Sequence, residues 1–202
     1  MAQYAPQGFK MLPTVVKNLL IINVIVFLAT MVLERYGYAN ITSMLALNAI
    51  PTGRFRFWQL FTYMFMHANV EHIFFNMFAL WMFGYVLENF WGPRRFLFYY
   101  LVCGVGAGLC NLLVPGWFLT VGASGAVYGI LLAFGMMFPN ERIYLYFLMP
   151  IKAKWFVIGY AAIELLEGLF RADGVAHFAH LGGMLFGLLL ILYWRKHPFS
   201  RF

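Results

Sequence analysis

Residues 122–129 read Gly122-Ala123-Ser124-Gly125-Ala126-Val127-Tyr128-Gly129. They open an apolar run that ends near Pro139, so Ser124 falls in the first turn of a membrane helix. A helix start leaves backbone N–H groups without intrahelical partners and carries partial positive charge. Such donors beside a hydroxyl are what a developing oxyanion needs. Gly122, Gly125 and Gly129 lack side chains and let another helix approach the backbone closely. Tyr128, four residues after Ser124, shares its face. Read alone, the stretch also describes a plain helix crossing, with the Ser124 hydroxyl bonded back to its own helix. A histidine presented to Ser124 by another helix separates the two readings.

The chain around this stretch has 202 residues, of which 63% are hydrophobic and 10% charged, against about 25% charged in soluble domains. Several apolar runs reach the roughly 20 residues that cross a bilayer. The composition therefore predicts an all-α polytopic membrane protein, one domain over 1–202, with six spans near 13–33, 67–90, 96–114, 122–138, 155–170 and 175–194. Residues 1–13 lack the layout of a cleavable signal, so the first span is expected to act as an uncleaved insertion signal. Residues 35–66 form a long aromatic loop, broken by Arg54, Arg56 and Gln59, that reads as short helices lying in the interface. The apolar stretch from Ile143 to Ile151 is too short to span. Cys103 and Cys110 share one apolar run and read as packing residues, not as a disulfide or metal pair.

The net charge of +7 is scattered over loop ends, which fits membrane topology and argues against nucleic-acid binding. With the N-terminus inside, Lys10, Lys17, Arg94, Arg95, Arg142, Lys152, Lys154, Arg195, Lys196 and Arg201 lie on that side. Arg35, Arg54, Arg56 and Arg171 lie on the other, so the distribution of basic residues favours both termini inside. Ser124 then lies toward the outer face, as does the start of the sixth span.

Polar groups within spans are costly and are usually paired or functional. The second span begins with His67, Glu71, His72 and Asn76; His72 and Asn76 share a face, while His67 projects elsewhere. They read either as interhelical hydrogen-bond glue or as donors to developing negative charge. No His-Glu-x-x-His pattern occurs, and neither a metal nor a cofactor is expected. The sixth span begins with His177 and His180, followed by Gly182, Gly183 and Gly187. His180, Gly183 and Gly187 form one stripe at helical spacing, and Phe186 lies off it. The stripe points His180 at a facing helix, and the fourth span offers matching glycines around Ser124 at the same depth. His177, nearer the surface, is the weaker candidate base. Glu164 and Glu167 near the outer end of the fifth span read as interfacial or as a bundle hydrogen bond, with a direct catalytic part the minor alternative.

Three motifs, Gly122–Gly129, His67-x4-His72-x3-Asn76, and Ala179-His180-Leu181-Gly182-Gly183, together resemble the rhomboid intramembrane serine proteases, over essentially the whole chain. That resemblance implies a six-helix membrane bundle of bacterial type, in an inner membrane, acting on transmembrane protein substrates within the lipid bilayer. Matched residue by residue, it makes Ser124 the nucleophile and His180 the general base of a dyad that has no acidic member. It makes His72, Asn76 and the Ser124 backbone N–H the oxyanion donors, and Tyr128 the ring packed on the catalytic imidazole. His67 matches a residue tying the long first loop to the second span. The family often carries Trp-Arg in that loop, where this chain has Trp58-Gln59. Substrate access is expected past the fifth span or through the cap after Arg171. A transporter, which more often shows internal repeats, and a non-catalytic relative, which normally lacks the Ser or the His, are the competing readings.

Overall fold

The computed structural model describes residues 10–37, 40–116, 118–145, 149–170 and 176–197. The expected cap after Arg171 lies outside these described residues. Helix α1 (Thr14–Arg35) is followed by two short helices, α2 (Ile41–Leu45) and α3 (Gln59–Thr62). Then come α4 (Val70–Trp91), α5 (Pro93–Leu112), α6 (Ser124–Met137), α7 (Ala153–Phe170) and α8 (His177–Lys196). The chain is an all-α polytopic membrane protein, in which α1, α4, α5 and α8 are long and apolar enough to cross a bilayer. Helix α6 has 14 residues and is about 21 Å long, against a hydrocarbon core of about 30 Å. Helix α7 carries Lys154, Glu164 and Glu167. The two helices that fall short as independent spans are thus the two that carry Ser124 and Glu164.

Local chemistry sets the helix ends. The Asn69 side chain accepts the His72 N–H at 2.8 Å and starts α4 at Val70, later than hydropathy alone suggests. Gly92, at φ +82°, ends α4, and Pro93 begins α5 at its first position, where a missing N–H costs nothing. Glu88, buried near the end of α4, accepts the Val15 and Val16 N–H groups at 2.9 and 2.7 Å and so caps α1.

Two features of the loops are not helical. Residues Leu47–Asn48 (β1) pair antiparallel with Leu119–Thr120 (β2), joining the long first loop to the approach of α6. The apolar stretch after α6 forms an antiparallel hairpin of β3 (Arg142–Leu145) and β4 (Met149–Lys152), with Arg142 opposite Lys152. The remainder of the first loop is short helical turns, with Trp58, Phe57 and Phe61 exposed.

The core is a three-helix seam of α5, α6 and α8. A Cβ added at Gly183 would overlap the Gly125 carbonyl, so α6 and α8 touch backbone to backbone there. The glycines also make room for α5. Gly125 faces Ala107, Gly129 faces Cys103, Gly187 faces the Tyr99 hydroxyl, and Gly182 faces Cys110. The stripe that the sequence presents as a two-helix track therefore serves both neighbours: Gly125 and Gly129 also face the Ala179 and Gly183 carbonyls of α8, while the same glycines and Gly182 and Gly187 accommodate α5. Phe186 is not idle beside the stripe, because its ring lies against Gly106, where any side chain on α5 would overlap it. Helix α7 is held least, with Ala153, Val157 and Glu164 as its buried residues, while Trp155, Ile158, Leu166 and Phe170 are exposed.

Candidate active site

Gly122 shapes the entry to the site. Its φ of +128° lies in a region that side chains avoid, and its N–H donates to the Tyr63 carbonyl at 2.9 Å. A Cβ there would fall 2.7 Å from His72 Nε2 and 3.5 Å from Ser124 Oγ, so only glycine lets His72 approach the serine. Ser124 is the first residue of α6, and its N–H is among those that a helix start leaves without an intrahelical partner.

From α8, His180 Nε2 lies 2.8 Å from Ser124 Oγ. The Gly183–Gly125 contact, one turn further along α8, fixes that distance. The Tyr128 ring stacks on the His180 ring with centroids 4.3 Å apart and 9° between planes, as its position one turn after Ser124 allows. His180 is buried.

On α4, His72 Nδ1 accepts the Ala68 N–H at 3.4 Å, which leaves the proton on Nε2, the nitrogen that faces Gly122 and Ser124. Asn76 Nδ2 donates to the His72 carbonyl at 2.8 Å, and the amide retains a second N–H. His72, Asn76, Ser124 and His180 all line one cavity of about 710 Å³, as do Asn111 and Thr120. Asn111 donates to the Thr120 hydroxyl at 2.8 Å. The site thus holds a hydroxyl, a base in contact with it and side-chain N–H donors lining the same cavity, the parts needed for acyl transfer.

His67 ends the first loop just before α4. Its ring packs edge-on against His72 at 5.1 Å, and neither ring nitrogen has a hydrogen-bond partner among the described residues. Burial, and the neighbouring His72, push its pKa down to about 4. Gln59 braces the first loop internally. Buried, it accepts from the Asn48 and Arg56 N–H groups at 3.3 and 3.1 Å and donates to the Met44 and Arg54 carbonyls at 3.2 and 3.4 Å. A neutral amide here satisfies four backbone groups without any ion pair.

Sequence reasoning set Glu164 aside, and the structure brings it to the site. Its Oε2 lies 2.9 Å from His180 Nδ1 and 2.7 Å from His177 Nδ1, while Oε1 accepts the Tyr128 hydroxyl. The available signal was the inner stripe of α7. Val157, Ala161, Glu164 and Gly168 recur at helical spacing, so a carboxylate on that face had to find donors.

A Rhomboid domain model matches residues 54–197 of the chain. The RHOMBOID-like protein 6, mitochondrial, of Arabidopsis thaliana is 37% identical over 66% of this chain and 42% of its own length. Rhomboid-like protease 3 of Toxoplasma gondii is 27% identical over 86% of the chain and 66% of its own. Rhomboid protease GluP of Bacillus subtilis (strain 168) is 32% identical over 64% of the chain and 24% of its own. The chain thus spans about two fifths of the length of the Arabidopsis relative and about a quarter of the Bacillus one.

Proposed function

Since the chain belongs to the rhomboid family, we propose that it is an intramembrane serine endopeptidase that cleaves transmembrane segments of membrane proteins by a Ser124–His180 acyl-transfer mechanism. The observation that carries this reading is the 2.8 Å contact between His180 Nε2 and Ser124 Oγ beneath a cavity lined by His72 and Asn76. His180 takes the Ser124 proton as the oxygen attacks a peptide carbonyl. The tetrahedral oxyanion is held by the His72 Nε2–H, the free Asn76 N–H and the Ser124 backbone N–H. His180 then returns its proton to the leaving amine as the C–N bond breaks, and water releases the acyl group by the same steps. A substrate helix must unwind locally for its carbonyl to be reached, which favours small or helix-weakening residues at the cleavage point.

Lateral entry past α7 is supported by how little of that helix is buried. A bacterial inner membrane with both termini cytoplasmic is the proposed setting, supported by the distribution of Lys and Arg. Cleavage of a model transmembrane substrate by the purified protein in liposomes tests the reading. The wild type should cut within the transmembrane segment, and Ser124→Ala and His180→Ala should each lower the rate by about 10³-fold or more. An intact substrate with folded wild type would instead favour a non-catalytic relative.

A further inference from the structure

We propose that Glu164 is a positioning residue for His180, so that this chain works with a Ser124–His180–Glu164 triad. The proposal rests on the proteolytic reading above and departs from the acid-free dyad that the family resemblance implies. Three groups meet at this carboxylate, Tyr128 from α6 and His177 and His180 from α8, while Glu167, one turn along α7, places its Oε2 3.9 Å from His177 Nδ1.

The contacts and the ordinary basicities of the groups point to one protonation pattern. One oxygen, Oε2, faces both imidazole Nδ1 atoms, at 2.7 and 2.9 Å. A carboxylic acid proton on Oε2, donated to one Nδ1 while the other Nδ1–H donates to the same oxygen, would leave the proton on the weaker base of the pair, since an imidazole is more basic than a carboxylate. An ionised carboxylate with a proton on each Nδ1 satisfies every contact, and the Tyr128 hydroxyl donates to the second oxygen. His180 therefore carries its proton on Nδ1 and presents a bare Nε2 to Ser124. When Nε2 takes the serine proton, the imidazolium forms beside a fixed negative charge, and no proton passes to Glu164. The stacked Tyr128 ring keeps the imidazole plane from turning away.

Glu164→Gln and Glu164→Asp, compared with wild type in the liposome assay, test this. The Gln variant keeps the shape but loses the charge and offers a donor that invites the wrong tautomer. It should lower kcat by about 10²–10⁴ with KM near wild type, because Glu164 lies behind His180 and away from substrate. The Asp variant should recover part of the loss. Nitrogen-15 NMR of histidine-labelled wild type, assigned against His177→Gln, should show His180 protonated at Nδ1.

A Gln variant at wild-type kcat, or a wild-type His180 protonated at Nε2, would overturn the proposal. If the Gln variant does not fold, the wild-type tautomer alone decides. Because Glu164, His177 and His180 are also close enough to hold a metal ion, loss of wild-type activity on chelation and its return with zinc would overturn it too. A wild type that neither cleaves substrate nor reacts with a fluorophosphonate would sink the proteolytic reading instead, and the tautomer would still report on Glu164.

Discussion

Gly183→Ala adds one methyl group at the point where α6 and α8 touch. An alanine Cβ there overlaps the Gly125 carbonyl oxygen and sits 2.7 Å from its carbonyl carbon and 3.2 Å from its Cα. Ordinary carbon–carbon contact lies at about 3.5–4.0 Å, so the two helices must separate by about 1 Å at this level. The obstructing atoms are backbone, and no side-chain rotation relieves them. Ser124 adjoins Gly125, and His180 is one turn from Gly183, so the displacement passes to the 2.8 Å Ser124–His180 contact. Lengthened by about 1 Å, that contact is no longer a hydrogen bond.

A misplacement of this size costs about 10² in rate, and overpacking costs about 1–3 kcal/mol of stability. Gly183→Ala should therefore lower kcat/KM by about 10²-fold and lower Tm as well. Leu185→Ala, at a side chain 49% exposed on the outer face of α8, should change neither quantity much. Cleavage rates and Tm measured for the two variants in the same detergent decide the matter. Gly183→Ala with wild-type rate and Tm would show that the backbone contact does not set the catalytic distance.

His72→Ala and Asn76→Ala should each lower kcat by no more than about 10²-fold, because the remaining donors share the oxyanion; the double variant should fall further than either, and chelators should leave the wild type unchanged. A double variant no worse than the singles would remove one of the two from the oxyanion site. The depressed pKa of His67 means that the unfolded chain, titrating near 6.5, binds its proton first as pH falls. The linked stability is intact above about pH 6.5 and is lost progressively toward pH 4, by up to about 3 kcal/mol, so the slopes of Tm against pH for wild type and His67→Gln should differ in that window alone. Glu88→Ala leaves the Val15 and Val16 N–H groups buried without an acceptor, so Tm should fall by an amount equivalent to about 1–3 kcal/mol while cleavage per folded molecule stays near wild type.

The order of the helices was legible because apolar runs and their Gly and Pro punctuation are local signals, as at Gly92-Pro93. The pairing of Ser124 with His180 was legible through the motifs on the fourth and sixth spans. What the sequence hid was set by three-dimensional company. Glu164 reads as an ordinary charge near a helix end until α6 and α8 supply its Tyr and His donors. Gln59 reads as a lost arginine until four backbone groups of its own loop converge on it. His67 sits at the end of the first loop, where its ring packs edge-on against His72. The glycines likewise announced close packing without saying that α5 shares it.

The central claim is that His180 activates Ser124. Covalent labelling by a fluorophosphonate, mapped by mass spectrometry on the folded protein in detergent, tests it most directly. A single adduct on Ser124 in the wild type, lost in Ser124→Ala and reduced to background in a folded His180→Ala, is the predicted result. Labelling that is absent from the wild type, falls on another residue, or persists unchanged without His180 would contradict it.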